Sequence, residues 1–198
     1  MIKLLLFSIL ILRFGEVAVQ DSINFYPKSL FTELLKSGDV TEPGLLEIQS
    51  DANSRDISKI TGKYFSIVYK TGFSPIRFVY VGRVNSCRTG GCSANPENSG
   101  TGEHEYFDYF ILFDSDITVR QVRVYNYQAT HGQEITSKGW LKQFEGYDGH
   151  KSLQVGKDID GISGATISVF GITADICGKR ERLREILNSN NAETPNEL

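Results

Sequence analysis

The stretch that most restricts the fold of this chain runs from Tyr106 to Tyr127. Tyr106 to Phe113 is aromatic and branched almost throughout, which predicts a strong strand. Asp114-Ser-Asp116 is a polar turn. Ile117 to Tyr127 follows, with Ile117, Val119, Val122 and Val124 on its apolar side. Two such runs around a short polar turn predict an antiparallel hairpin. The same patterns predict strands at Tyr64–Lys70 and Ile76–Val84. Helical spacing predicts helices at Ser29–Lys36, Ser137–Phe144 and Thr166–Leu187, the last interrupted near Gly171 or Gly178. Thr41–Ile60 has a mixed pattern and is assigned to neither. Strands and helices without regular alternation predict an α+β fold, a mostly antiparallel twisted sheet with packed helices.

The chain has 198 residues, enough for one good-sized core. Met1–Gln20 reads as a secretory signal: Lys3, an apolar run Leu4–Leu12, then the small-residue site Ala18-Val-Gln20. The run is short for a bilayer span, and an uncleaved membrane anchor is the other reading. Residues 21–190 then form the domain and 191–198 a flexible tail. The signal predicts a periplasmic location or the outer face of the cytoplasmic membrane. The net charge of −3 does not recommend nucleic acid, which would favour a basic face. Twelve Phe and nine Tyr serve a sheet and core first.

A second organising stretch is Asp158-Ile-Asp-Gly-Ile-Ser-Gly-Ala-Thr166-Ile-Ser168. Gly146-Tyr-Asp-Gly149 and Gly156 precede it, and Ile167, Phe170, Ile172, Ala174 and Ile176 follow at helical spacing. A loop therefore runs into a helix, with Ser163-Gly164-Ala165-Thr166 at the join. Ser163 or Asp160 is placed to cap that helix. A helix start offers unpaired N–H donors and partial positive charge, which suit a phosphate. Gly164 and Ala165 are expected to leave the backbone bare, so a bulky group can approach the Thr166 hydroxyl.

Asp160-Gly-Ile-Ser-Gly-Ala-Thr-Ile-Ser168 resembles, at every fixed position, the D-x-x-S/T-G-A-T-x-S/T motif of the FMN-binding domain family. That family includes one subunit of the sodium-pumping NADH:quinone oxidoreductase and one of the Rnf complex. Gly139-Trp-Leu-Lys-Gln-Phe144-Glu-Gly146 is similar to the W-x-x-x-F-x-G approach to that motif. The resemblance covers roughly residues 121–187. It implies FMN joined through its phosphate to Thr166 by a dedicated flavin transferase, with Asp160, Ser163, Gly164, Ala165 and Ser168 shaping the site. Trp140 and Phe144 either wall the isoalloxazine or pack in the core. The implied role is an exported electron carrier of a membrane-associated complex, rather than a stand-alone enzyme, with redox donor and acceptor proteins as partners. The alternatives are a module that binds FMN or a phospho-ligand without covalent attachment, and a disulfide-stapled interaction domain with no cofactor.

Cys87 and Cys92 close a short Gly-rich loop, which in an exported protein predicts a disulfide; a labile redox pair and two free thiols are the other readings. Cys177 lies on the last helix and reads as a small buried apolar residue. Ala129-Thr-His-Gly-Gln-Glu134 stands where the respiratory relatives carry a Glu-Thr-Pro-Gly-like turn; it reads as a polar turn or a flavin contact, with His131 assigned no role as ligand or base. No catalytic triad or metal-spaced carboxylate set is discernible.

Overall fold

In the computed structural model, residues 22–49, 62–88 and 104–192 are described. The element order is α1 (Lys28–Lys36), β1 (Asp39–Ile48), β2 (Gly62–Phe73), β3 (Phe78–Arg88), β4 (His104–Phe113), β5 (Val119–Tyr127), α2 (Lys138–Leu141) and α3 (Thr166–Ala192). The five strands form one antiparallel sheet in the order β1-β2-β3-β4-β5. The fold is α+β, as the patterns predict.

The β4 strand shows why the sheet has helices on both faces. Alternate side chains on a strand point to opposite faces. Phe107, Tyr109, Ile111 and Phe113 go to one core, together with Val169, Ile172, Ile176, Leu183 and Ile186 of α3. Phe110 and Leu112 go to the other core, with Leu30 and Leu34 of α1, Phe65, Ile67, Val79 and Val81. A strand buried on both faces reads as a nearly continuous apolar run, and that is what residues 106–113 are.

Asp108 is the polar exception within that run and is 1% exposed. Arg83 meets it with two bonds, Nε to Oδ1 at 2.6 Å and Nη2 to Oδ2 at 3.0 Å. Asn126 Nδ2 donates to the same carboxylate at 2.9 Å, and the guanidinium lies 3.5 Å from the centroid of the Tyr106 ring. A buried carboxylate is tolerated only with such pairing.

Two local expectations are corrected, and one unassigned segment proves to hold a strand. Ile117 is not in the hairpin strand: it sits in the turn at φ 60°, and Arg180 Nε donates to its carbonyl oxygen at 3.2 Å. α3 runs unbroken through Gly171 and Gly178 to Ala192. Gly171 is there for closeness, since a Cβ on it would lie 3.1 Å from Val84 Cγ1. β1 begins at Asp39, two residues before the unassigned Thr41–Ile60 segment, and takes up its first part. It is an edge strand whose pattern is broken by Pro43, Gly44 and Glu42 at φ 45°. The signal region 1–20, Cys92 and the side chain of Cys87 lie outside the described residues.

Candidate functional site

The motif loop is folded by its own short-range bonds. Asp158 accepts from Lys151 Nζ at 2.7 Å and from the Gln154 backbone N–H at 3.0 Å. These two donors, Lys151 first, hold its carboxyl below the usual value. Ile159 turns inward and is 1% exposed. The Ala165 N–H then donates to Ile162 O at 3.1 Å across a tight turn, with Gly164 at φ 81°. A left-handed residue at this place favours glycine.

Thr166 is the first residue of α3 and is exposed. The first bond of the helical ladder is Val169 N–H to Ala165 O at 2.9 Å. The N–H groups of Thr166, Ile167 and Ser168 therefore lie outside the ladder, as at any helix start. Among the described residues, no atom other than those of the chain neighbours lies within 4 Å of where a Cβ would be on Gly161 or Gly164. A free N–H row, an exposed hydroxyl and open space over two glycines fit the phosphate end of an FMN.

The roles of the other expected residues are more specific than the sequence suggests. Asp160 is held by its backbone: its N–H donates to Gln143 Oε1 at 2.7 Å, and its carbonyl accepts from Trp140 Nε1 at 2.9 Å. Among the described residues, neither the Asp160 nor the Ser163 side chain caps the helix through a hydrogen bond. Ala165 is 3% exposed, so it is not bare backbone. It packs against Gly132, where a Cβ would come 2.9 Å from the Ala165 Cβ. Ser168 is 2% exposed, with its Oγ 2.9 Å from Ser86 Oγ of β3. Phe144 is fully buried and packs in the core, offering no face to a ligand. Trp140 is half-buried, edge-on to Phe144 with ring centroids 5.4 Å apart. Phe144 therefore takes the packing alternative, and Trp140 buttresses the motif loop.

The Ala129–Glu134 turn lies against the motif, through Gly132 and Ala165. It is tied down by Thr130 donating to Glu105 and by the Tyr127 hydroxyl donating to His131 O. Burial pushes the Tyr127 phenol above its ordinary value, and a bond with Ser168 works against that shift. Three segments thus meet the Asp160–Ser168 motif: the end of β3 at Ser168, the turn after β5 at Ala165, and the α2 region at Asp160. Sequence reasoning misses Tyr127, Gln143 and Ser86, because a contact across the fold leaves no mark in local spacing. Cys177 is half-buried rather than buried, and it lies beside Tyr147.

Residues 104–176 match the model of a known family, the FMN-binding domain. The match spans the β4–β5 hairpin, the α2 region, the whole motif and the first three turns of α3, and it supports FMN as the cofactor. Among solved structures, the chain is similar to that of NqrC from Shewanella oneidensis, with 18% identity and a TM-score of 0.46. That alignment covers 86% of this chain and 92% of the other. No curated protein matches the chain.

Proposed function

We propose that this protein is an exported electron carrier that holds one FMN covalently on Thr166. The observation that carries the reading is the position of Thr166. The hydroxyl that the D-x-x-S-G-A-T-x-S pattern singles out is exposed, at the first residue of a long helix, inside the segment matched by the FMN-binding domain. Attachment forms a bond from Thr166 Oγ1 to the FMN-side phosphorus of a flavin dinucleotide. The phosphoanhydride bond breaks, AMP leaves, and the threonine proton passes to a base on the flavin transferase. A threonine hydroxyl is a weak nucleophile unaided, so that activation belongs to the transferase.

FMN supplies the acceptance and release of electrons; the chain supplies attachment, orientation and electrostatics. The N–H groups of the first α3 turn would hold the phosphate. Gly161 and Gly164 keep its approach open. Trp140 and Gln143 fix the loop through the Asp160 backbone, and Ser86 fixes the helix start through Ser168. Redox partners supply and remove the electrons. Export rests on the Met1–Gln20 pattern, and a tether suits a site from which free cofactor would diffuse away.

In-gel flavin fluorescence after denaturation tests attachment, with the transferase co-expressed. Wild type is expected to retain fluorescence and Thr166→Ala to lose it while staying folded. Fluorescence lost from both, while native samples remain yellow, would favour the non-covalent module.

A further inference from the structure

We propose that the groove between α3 and the end of β3 seats the ring system of the flavin carried by Thr166, with Phe170 at its lip. The proposal rests on attachment at Thr166. The groove has a volume of about 330 Å³ and is lined by Arg83, Val84, Asn85, Gly171, Ala174 and Asp175. That is the small end of the range for ligand sites. Its floor follows from one residue: without a side chain at Gly171, the helix backbone settles onto Val84.

A path leads there from the attachment point. Thr166, Phe170 and Ala174 are spaced four apart, so they share one flank of α3, and all three are exposed. At 1.5 Å per residue, Ala174 lies about 12 Å along the axis from Thr166. Phe170 is 55% exposed and its neighbour Ile167 42%, so the two put adjoining apolar surface beside the helix start. An isoalloxazine is a flat apolar tricycle with a polar edge that donates and accepts hydrogen bonds. The groove matches both parts. Val84, Gly171 and Ala174 give an apolar bed, and Asn85 and Asp175 give polar ends. Asp175 is held from below, accepting from the Tyr109 hydroxyl at 2.6 Å with Lys179 Nζ 3.4 Å away. Its carboxylate would oppose added electrons on a ring beside it.

The test uses the full chain, flavinylated in cells with the transferase, and an Ala174→Leu variant that fills the groove. Intact mass reads attachment separately from ring placement. Ring placement is read by iodide quenching of flavin fluorescence and by visible circular dichroism. Ala174→Leu is expected to carry FMN as fully as wild type, to be quenched severalfold more strongly, and to lose the induced dichroism. Phe170→Ala should change both readouts in the same sense, and serves if the leucine variant does not fold. His131→Ala, on the turn beyond Ala165, should match wild type. Asp175→Asn should raise the flavin midpoint potential.

The groove assignment is overturned if Ala174→Leu and Phe170→Ala match wild type in both optical readouts. It is also overturned if His131→Ala causes the loss instead, which would put the ring against the turn. Quenching of fully attached wild type as strong as that of free FMN overturns the groove alone. A wild type that takes up no FMN overturns the attachment reading and this proposal with it.

Discussion

Replacing Trp140 with phenylalanine removes one hydrogen bond and keeps an aromatic ring, which isolates what the indole does for the motif. The bond lost is Nε1–H to the Asp160 carbonyl at 2.9 Å. Asp160 is exposed, so water can take the vacated place. The net cost then falls in the lower part of the usual range, about 0.5–1 kcal/mol. For a chain of this size that corresponds to a fall in Tm of about 1–4 °C. Trp140→Ala also removes the edge-on contact with Phe144. Because Trp140 is only half-buried, its total should stay below that of a core aromatic, at about 2–3 kcal/mol. Urea unfolding of both variants gives the two costs. The initial rate of FMN attachment under limiting transferase gives the functional side. Trp140→Phe should slow attachment without abolishing it, because Gln143 still holds the Asp160 N–H at 2.7 Å. Once attached, the flavin should show the wild-type absorption spectrum. A phenylalanine variant as unstable as the alanine variant would refute the hydrogen-bond argument. A shifted flavin spectrum with unchanged stability would make Trp140 a wall of the ring instead.

Two further predictions concern the buried charges. Asp108→Ala leaves the Arg83 guanidinium, 15% exposed, without its carboxylate, and removes the acceptor of Asn126. Breaking a buried pair costs about 3–5 kcal/mol, and the lower end is expected here because the Tyr106 ring still supports the cation; a urea-derived loss under about 1 kcal/mol would contradict this. Asp175 has a raised pKa, chiefly from burial, with Lys179 and the Tyr109 bond acting against the rise. The folded chain therefore holds this proton more tightly than the unfolded chain. Its stabilising contribution is complete below the ordinary carboxyl value of 3.8 and is lost as pH rises through the higher folded value. Asp175→Asn should flatten the stability profile across that window; an unchanged slope would refute the assignment.

The β4–β5 hairpin was legible because its strands are long, strongly apolar and separated by a short polar turn. Ile117 was misplaced because nothing in a β-branched residue announces a left-handed turn; the Arg180 bond that accompanies this conformation comes from 63 residues away. β1 was hidden because an edge strand with its face half exposed has little alternation to display. The expected break in α3 followed the weak helix propensity of glycine. Packing overrides that propensity at Gly171, where the helix must come close to Val84. At the site, the motif and its helix start could be read from local chemistry. The bonds from Gln143 and Ser86 could not, since they join segments whose proximity only the fold creates.

The function proposed for this protein turns on the chemistry at one oxygen. Peptide-level mass spectrometry of wild-type protein, made alongside the flavin transferase, should find the peptide containing Thr166 heavier by one FMN less one water, with fragment ions placing the gain on Thr166. An unmodified peptide from cells in which a known substrate of the transferase is flavinylated would contradict it, as would the same gain placed on Ser163 or Ser168.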